Sequence, residues 1–169
     1  MQENRLRLNP DKTEVLSVGT PPISGLGSPL SFGGATLTTK SVVCSLGVHL
    51  DPALTRESQV VSVVRTAHLH LWQIAQLCSY LDVGALTTLV HTLIVSRFYY
   101  CNVLYMGLPL RLMRKLQIVQ NMATKLLTGL EKYHHISPTL VALQWLPIHF
   151  RIGFKVLMVT YKALNGLGP

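Results

Sequence analysis

The spacing of apolar residues changes character near Asp51-Pro52. Before it, short β-prone runs alternate with turn chemistry. Glu14-Val15-Leu16-Ser17-Val18 reads as a strand ended by Gly19-Thr20-Pro21-Pro22, and Gly25-Leu26-Gly27-Ser28-Pro29 and Gly33-Gly34 read as turns. The runs 35–38 and 42–50 are again rich in β-formers, so the first third is expected to form a small antiparallel unit. Beyond Asp51 the period becomes helical. Asp51 and Thr55 are both N-cap residues by type, and Val60, Val64, Ala67, Leu71, Ile74, Cys78 and Leu81 recur at spacings of four and three. That predicts a long amphipathic helix ending near Asp82-Val83-Gly84.

A second helix is expected from Ala85 to Tyr105, apolar on most faces, stopped by Gly107-Leu108-Pro109. A third, from Pro109 to Leu127, is two-sided. Leu112, Leu116, Val119, Ala123 and Leu126 share one arc, while Arg111, Arg114, Lys115 and Lys125 share the opposite one, interrupted by Ile118 and Met122. Gly129 is its expected stop. Ser137-Pro138 opens a short helix that Trp145-Leu146-Pro147 breaks, and a last helix covers Ile148 to Leu164 and closes at Asn165-Gly166. On it Arg151, Lys155 and Lys162 form a second basic stripe at i, i+4 and i+11. The fold class is therefore α+β, mostly α: a short antiparallel β unit followed by a bundle of about five helices.

Composition fits this outline. A chain of 169 residues with 49% hydrophobic and 13% charged residues can bury a core and is not disordered. So much apolar surface also suggests a face that expects a partner. The stretch 86–108 is long and apolar, but His91, Arg97 and Asn102 lie inside it, which favours a buried core helix over a membrane span. The start, Met1-Gln2-Glu3-Asn4-Arg5, has no apolar core behind it, so the expectation is an intracellular protein of cytoplasm or nucleus, not a secreted one. Cys44, Cys78 and Cys101 are odd in number and widely spaced, which reads as structural thiols in a reducing compartment.

Charge divides the chain unevenly. Arg5, Arg7, Lys12, Lys40, Arg56 and Arg65 balance the six acids of residues 1–82, whereas residues 83–169 carry nine basic residues against Glu131 alone, leaving the net charge of +8 there. A polyanionic partner for the second half is one explanation, and basic drift that solubilises a bundle is the other.

Self-contained catalysis is not legible. The acids Glu3, Asp11, Glu14, Asp51, Glu57, Asp82 and Glu131 do not converge at a spacing that would hold a metal or serve general acid–base chemistry. His68 and His70 point to different helix faces and His134-His135 lack a second ligand pair, so no metal site is expected. Gly25-Leu26-Gly27 lacks the Lys-Ser/Thr and the helix of a phosphate loop. Serine and cysteine nucleophiles have no histidine and acid nearby in sequence. What remains is lysine and arginine on helix faces, which attract phosphates without reading sequence. Tyr99, Tyr100, Tyr105 and Tyr133 could add base stacking, against a core role on this apolar background.

Several blocks, in order, carry a resemblance. They are Leu8-Asn9-Pro10-Asp11-Lys12-Thr13-Glu14-Val15-Leu16, Ser45-Leu46-Gly47-Val48-His49-Leu50-Asp51 and Ser96-Arg97-Phe98-Tyr99-Tyr100-Cys101-Asn102. Lys115-Leu116-Gln117 with Gln120-Asn121, Trp145-Leu146-Pro147-Ile148 with Arg151, and Tyr161-Lys162-Ala163-Leu164-Asn165-Gly166-Leu167-Gly168-Pro169 follow. Together they resemble the reverse transcriptases of LINE-type non-LTR retrotransposons, nearest the jockey and chicken-repeat branches, over nearly the whole chain. The resemblance implies that residues 1–53 are the end of the palm with a primer-grip-like hairpin, and that residues 54–169 are a helical thumb with its C-terminal extension.

In that family the first block follows the Ala-Asp-Asp carboxylates that bind catalytic magnesium. Only eight residues precede Asn9-Pro10 here, so the expectation is a truncated, decayed fragment, inert as an enzyme on its own and without the palm and fingers of its parent. Magnesium belongs to the intact parent enzyme, and no cofactor is expected for this chain. Lys12 aligns with a lysine proposed to protonate leaving pyrophosphate, the one catalytic candidate; a solvated lysine after a turn is the alternative. Leu46 and Gly47 correspond to the primer grip, where glycine allows close backbone approach; an ordinary turn glycine is the alternative. Arg111, Arg114, Lys115, Lys125, Arg151, Lys155 and Lys162 would contact an RNA/DNA template–primer hybrid. Three departures stand out: Tyr99 where the family has Asp, Gln144 where it has His, and Gly153 where an acid is common. The alternative function is a non-enzymatic helical protein that binds a protein partner or a membrane surface through exposed apolar helices.

Overall fold

The computed structural model describes Asn9 and residues 12–19, 30–32, 35–37, 39–131 and 133–167. Leu8, Pro10, Asp11, the expected turns over 20–29 and at Gly33-Gly34, Thr38 and the Gly168-Pro169 end lie outside these residues. The chain is mostly helical with short antiparallel sheets, and it divides into two compact units, residues 1–59 and 60–169. The division falls inside the first turn of a helix, a few residues beyond the boundary expected at 53/54.

The first unit holds two two-stranded antiparallel sheets. Strand β1 (Leu30–Phe32) pairs with β2 (Ala35–Leu37), Leu30 opposite Leu37. Strand β3 (Val43–Ser45) pairs with β4 (Val48–Leu50), Val43 opposite Leu50 and Ser45 opposite Val48. The β3–β4 loop is therefore Leu46-Gly47, with φ of 49° and 77°. Two positive φ values give the mirror-image turn whose twist matches the strands. Glycine adopts it freely, whereas leucine does so against its preference.

The strand expected over Glu14 to Val18 is reduced to one parallel bridge, Val15 to Thr39, with Lys40 N donating to Val15 O at 2.9 Å. Its neighbour Glu14 turns to other work: the carboxylate accepts from Lys40 Nζ and from Cys44 N, and these bonds hold it below the ordinary glutamate range.

Asp51 closes the hairpin onto the following helix. Its carboxylate accepts from Thr55 N and Thr55 Oγ1, each at 2.9 Å, and Thr55 Oγ1 accepts from Glu57 N at 3.3 Å. Both expected caps are thus used, in relay. His49 N also donates to Gln59 Oε1 at 2.9 Å.

Helix α1 (Glu57–Leu77) carries Val60, Ala67, Leu71 and Ile74 of the expected face into the core of the second unit, with Val63 buried beside them and the expected Val64 only half-buried. Cys78 departs from expectation. The helix tightens into a single turn over Cys78–Tyr80, Cys78 is exposed, and its Sγ donates to Ala75 O. Cys44 is exposed too and Cys101 half-buried, so none of the three thiols is a core thiol.

Helix α2 (Val83–Val90) begins two residues earlier than expected because Asp82 caps it, accepting from Ala85 N at 3.3 Å. It runs through a wider, π-type turn at His91–Val95 into α3 (Ser96–Tyr99), and there the expected continuous helix to Tyr105 breaks. Thr88, Thr92 and Ser96 hydroxyls each donate to the carbonyl four residues back along this stretch. Cys101 then turns left-handed, φ 52°, and Asn102–Tyr105 forms a separate tight turn. No described helix is long and apolar enough to cross a membrane.

Helix α4 (Leu110–Thr128) is bounded as expected by Pro109 and by Gly129 at φ 64°. It packs against α2, against α5 (Ser137–Ala142) and against α6 (Ile148–Leu164). Ser137 is the first helical residue of α5 and not its cap, with Pro138 behind it. Helix α6 has the expected bounds. Gly166, φ 66°, lets Leu167 N reach Lys162 O and Gly166 N reach Ala163 O, a Schellman closure. The core gathers Leu71, Val90, Ile94, Phe98, Leu112, Leu116, Val119, Leu140, Trp145, Ile148 and Ile152, with Trp145 edge-on to His91 at 5.3 Å.

Candidate nucleic-acid interface

Helix α4 presents its charges as its sequence pattern requires. Leu112, Leu116, Val119 and Ala123 are buried, and Arg111, Arg114 and Lys115 are exposed on the other side. All three sit in the first two turns. Backbone N–H groups give that end of a helix partial positive charge, so acids are stabilising there and cations are not. The first turn of α4 holds no acid. Arg111 lies in that first turn, so an anion approaching it would also meet those N–H groups, while Arg114 and Lys115 follow in the second turn, where this effect has faded.

Lys125 lies about 15 Å further along the helix, ten residues at ~1.5 Å each. It is half-buried and borders an apolar groove of about 680 Å³ between α1 and α4, lined by His68, Leu71, Trp72, Met122 and Leu126. Ile118 and Met122, both exposed, separate it from the N-terminal cluster.

The stripe expected on α6 is not an exposed stripe. Arg151 is 5% exposed and belongs to the core side of the helix beside Ile148 and Ile152. Its guanidinium carbon lies 4.5 Å from the centroid of the Tyr99 ring, and its Nε has no hydrogen-bond partner. Burial pushes the guanidinium below its ordinary pKa, while the Tyr99 side chain acts the other way. Reach for a phosphate is thus replaced by cation–π packing. Lys155 is half-buried, and Lys162 is exposed. Sequence periodicity correctly put the three on one face; that face looks toward the core, and only its last turn reaches solvent.

Lys12 and Leu46-Gly47 belong to the first unit. Lys12 is exposed in a turn where Lys12 N and Thr13 Oγ1 both donate to Asn9 O, at 3.2 and 2.7 Å. Leu46 is almost fully exposed at the hairpin tip. Among the described residues no group of three or more His, Cys, Asp or Glu side chains is placed to hold a metal.

A polar constellation that sequence reasoning did not single out for itself joins two of the blocks quoted above. Gln117 Nε2 donates to Gln120 Oε1 and to Asn121 Oδ1, each at 2.9 Å. Gln120 Nε2 donates to Leu146 O, and Ile148 N donates to Gln117 Oε1, both at 2.9 Å. The Gln-x-x-Gln-Asn run of α4 thus fastens the Trp145-Leu146-Pro147 turn and caps α6, whose first N–H groups would otherwise be orphans. Gln120 is buried and so is Ile148, which makes these bonds costly to break. The signal was available only for Gln120, which borders the apolar arc and needs a buried partner; Gln117 lies about 140° from the centre of that arc and gave none. Asn102 is 1% exposed, and neither of its side-chain amide atoms has a hydrogen-bond partner.

No protein-family model, curated protein or solved structure matches the chain.

Proposed function

We propose that the chain carries the end of the palm and the thumb of a LINE-type retrotransposon reverse transcriptase, and that it binds an RNA/DNA template–primer hybrid through the N-terminal half of α4. The ordered sequence blocks support the origin. The observation that carries the binding is the cluster Arg111, Arg114 and Lys115, exposed at the positive end of a helix with no acid in its first turn. Lys162 adds a cation on α6, and Arg151 is removed from the interface by its burial. The sequence holds no Asp-Asp pair, so Lys12 has no metal-bound carboxylates of this chain to serve, and primer extension by this chain alone should give no product.

A salt titration of hybrid binding tests the reading. Neutralising three phosphate contacts changes the slope of log K against log salt by about 2.7, so Arg111→Gln/Arg114→Gln/Lys115→Gln should flatten the slope by that amount. Over a fourfold rise in salt those three contacts account for roughly a 40-fold loss of affinity. Undetectable binding, or a slope that the triple substitution leaves alone, sinks the proposal. A second reading, a non-enzymatic helical protein with an apolar docking face, has the uncovered side chains of α6 in its favour.

A further inference from the structure

Helix α6 is apolar on two opposite sides. Ile148 and Ile152 face the core with Arg151, and the other side presents Phe150, Phe154, Leu157, Tyr161 and Leu164 to solvent. These five are 62, 60, 71, 62 and 82% exposed. Their spacing is four, three, four, three. On a helix wheel they fall within about 80° of one another and roughly opposite Ile148. A repeat of 3.5 residues is the seam of a left-handed coiled coil, a pattern that fits another helix bearing the same repeat.

We infer that this stripe is a docking surface for a second copy of the chain, α6 packing on α6 about a two-fold axis. Three features favour a copy over other occupants. The first is charge. The chain is strongly basic, so self-association through most of the second unit would set like charges together, yet Gly153, Met158, Thr160 and Asn165 flank the seam and are neutral. Lys155 and Lys162 project about 120–140° away from the stripe, toward the core side. A membrane-bound amphipathic helix needs the reverse, with cations at the margin of the apolar face to meet anionic headgroups.

Area is the second feature. Side chains of this size bury about 150–250 Å² each when fully covered, so five that are three-fifths or more exposed offer roughly 500–700 Å² per copy. A pair would bury about 1,000–1,400 Å², near the lower bound of specific interfaces and right for a weak, concentration-dependent dimer. The third feature is self-complementarity: one helix supplies both sides of the seam, which is what an isologous contact requires.

Sedimentation equilibrium on the full chain, in moderate salt and across about 1 to 100 μM, is the test; apparent mass should rise from near that of the monomer toward that of the dimer over that range. Leu157→Glu sits at the middle of the stripe and Leu164→Glu near its end. Both positions are exposed, so each variant should keep its far-UV circular dichroism and stay monomeric throughout. A monomeric wild-type chain overturns the inference, as does a dimer that both variants leave intact. Flotation with phosphatidylcholine–phosphatidylserine vesicles is the second measurement, and binding to them that Leu157→Glu abolishes would assign the stripe to a membrane and overturn the inference too. None of these readouts depends on hybrid binding, whose salt slope Leu157→Glu should not change.

Discussion

Replacing Gln117 with methionine asks how much of the second unit depends on the glutamine clamp. The side chain keeps its length and loses both polar atoms. Three bonds go: the acceptor for Ile148 N and the donors to Gln120 Oε1 and Asn121 Oδ1. Each ordinary intramolecular bond contributes about 0.5–1.5 kcal/mol net, and a buried group left without a partner costs about 1–3 kcal/mol. Asn121 is half-buried and can turn to water, whereas Ile148 is buried, so its N–H bears the full penalty. The sum is about 2–4 kcal/mol, a large share of the stability of a domain this size.

Gln117→Glu separates the components. It retains an acceptor for Ile148 N but turns a carboxylate oxygen toward two amide oxygens, so it should cost as much as methionine or more. Two compact units make a single global transition unsafe, so the assay is amide exchange followed residue by residue, with urea unfolding beside it. Protection at Ile148 and along the first turn of α6 should fall first. Gln120→Leu in the same background supplies a double-mutant cycle, and the pair should cost at least 0.5 kcal/mol less than the sum of its members, as expected for residues in one network. Full protection at Ile148 in Gln117→Met, or strict additivity in the cycle, would refute the clamp.

Two further outcomes follow from single sites. Arg151→Met removes a buried charge that has no acid beside it, so stability should be unchanged or raised, and the salt slope of hybrid binding should stay the same; a slope lowered by about one would return Arg151 to the interface. Asp51 is held below its ordinary pKa because the hydrogen bonds from Thr55, Arg56 and Ala53 outweigh the opposing effect of burial, so its contribution is present above the unfolded aspartate pKa and is lost as pH falls through the lower folded value. Asp51→Asn should therefore lower exchange protection at Thr55 at neutral pH and remove part of its acid dependence below about pH 4, and identical acid profiles for both proteins would refute the relay.

How legible the fold was depended on punctuation. Helices α4 and α6 have strong periodicity and are bounded by Pro109, Gly129, Pro147 and Gly166, and their limits could be read from sequence to within a residue. The stretch from Val83 to Tyr105 has the same apolar richness but no glycine or proline at its break. There the chain turns at Cys101, in a left-handed conformation that its residue type does not announce.

The basic cluster of α4 was legible for the opposite reason: one wheel separated its charges from an unbroken apolar arc. On α6 the same wheel grouped Arg151, Lys155 and Lys162 correctly, yet Arg151 is buried, Lys155 half-buried and only Lys162 exposed. Periodicity says which residues share a face, and only packing says which face meets the core. Ile148 and Ile152 flank Arg151, and a helix with phenylalanines on one side and isoleucines on the other leaves that choice open until its neighbours are placed.

The two helices consequently offer inverted surfaces although they pack on each other. Helix α4 turns its apolar arc inward and its cations outward. Helix α6 turns Arg151 inward, against the Tyr99 ring, and turns Phe150, Phe154, Leu157, Tyr161 and Leu164 outward. An acid at position 99 would have given that guanidinium an ion-pair partner. A tyrosine gives it a ring face instead, which leaves Nε unpaired and keeps the burial penalty in place. The inward charge is thus held by the Tyr99 ring and by packing from Ile148, Ile152 and the clamp at Gln117 and Gln120, not by an ion pair. It follows that the outward stripe depends on the clamp as well, because the bonds from Gln117 and Gln120 to the start of α6 fix how that helix is turned on α4. Charge on α4 and apolar surface on α6 are two separable working faces only while the glutamines fix the rotation of α6.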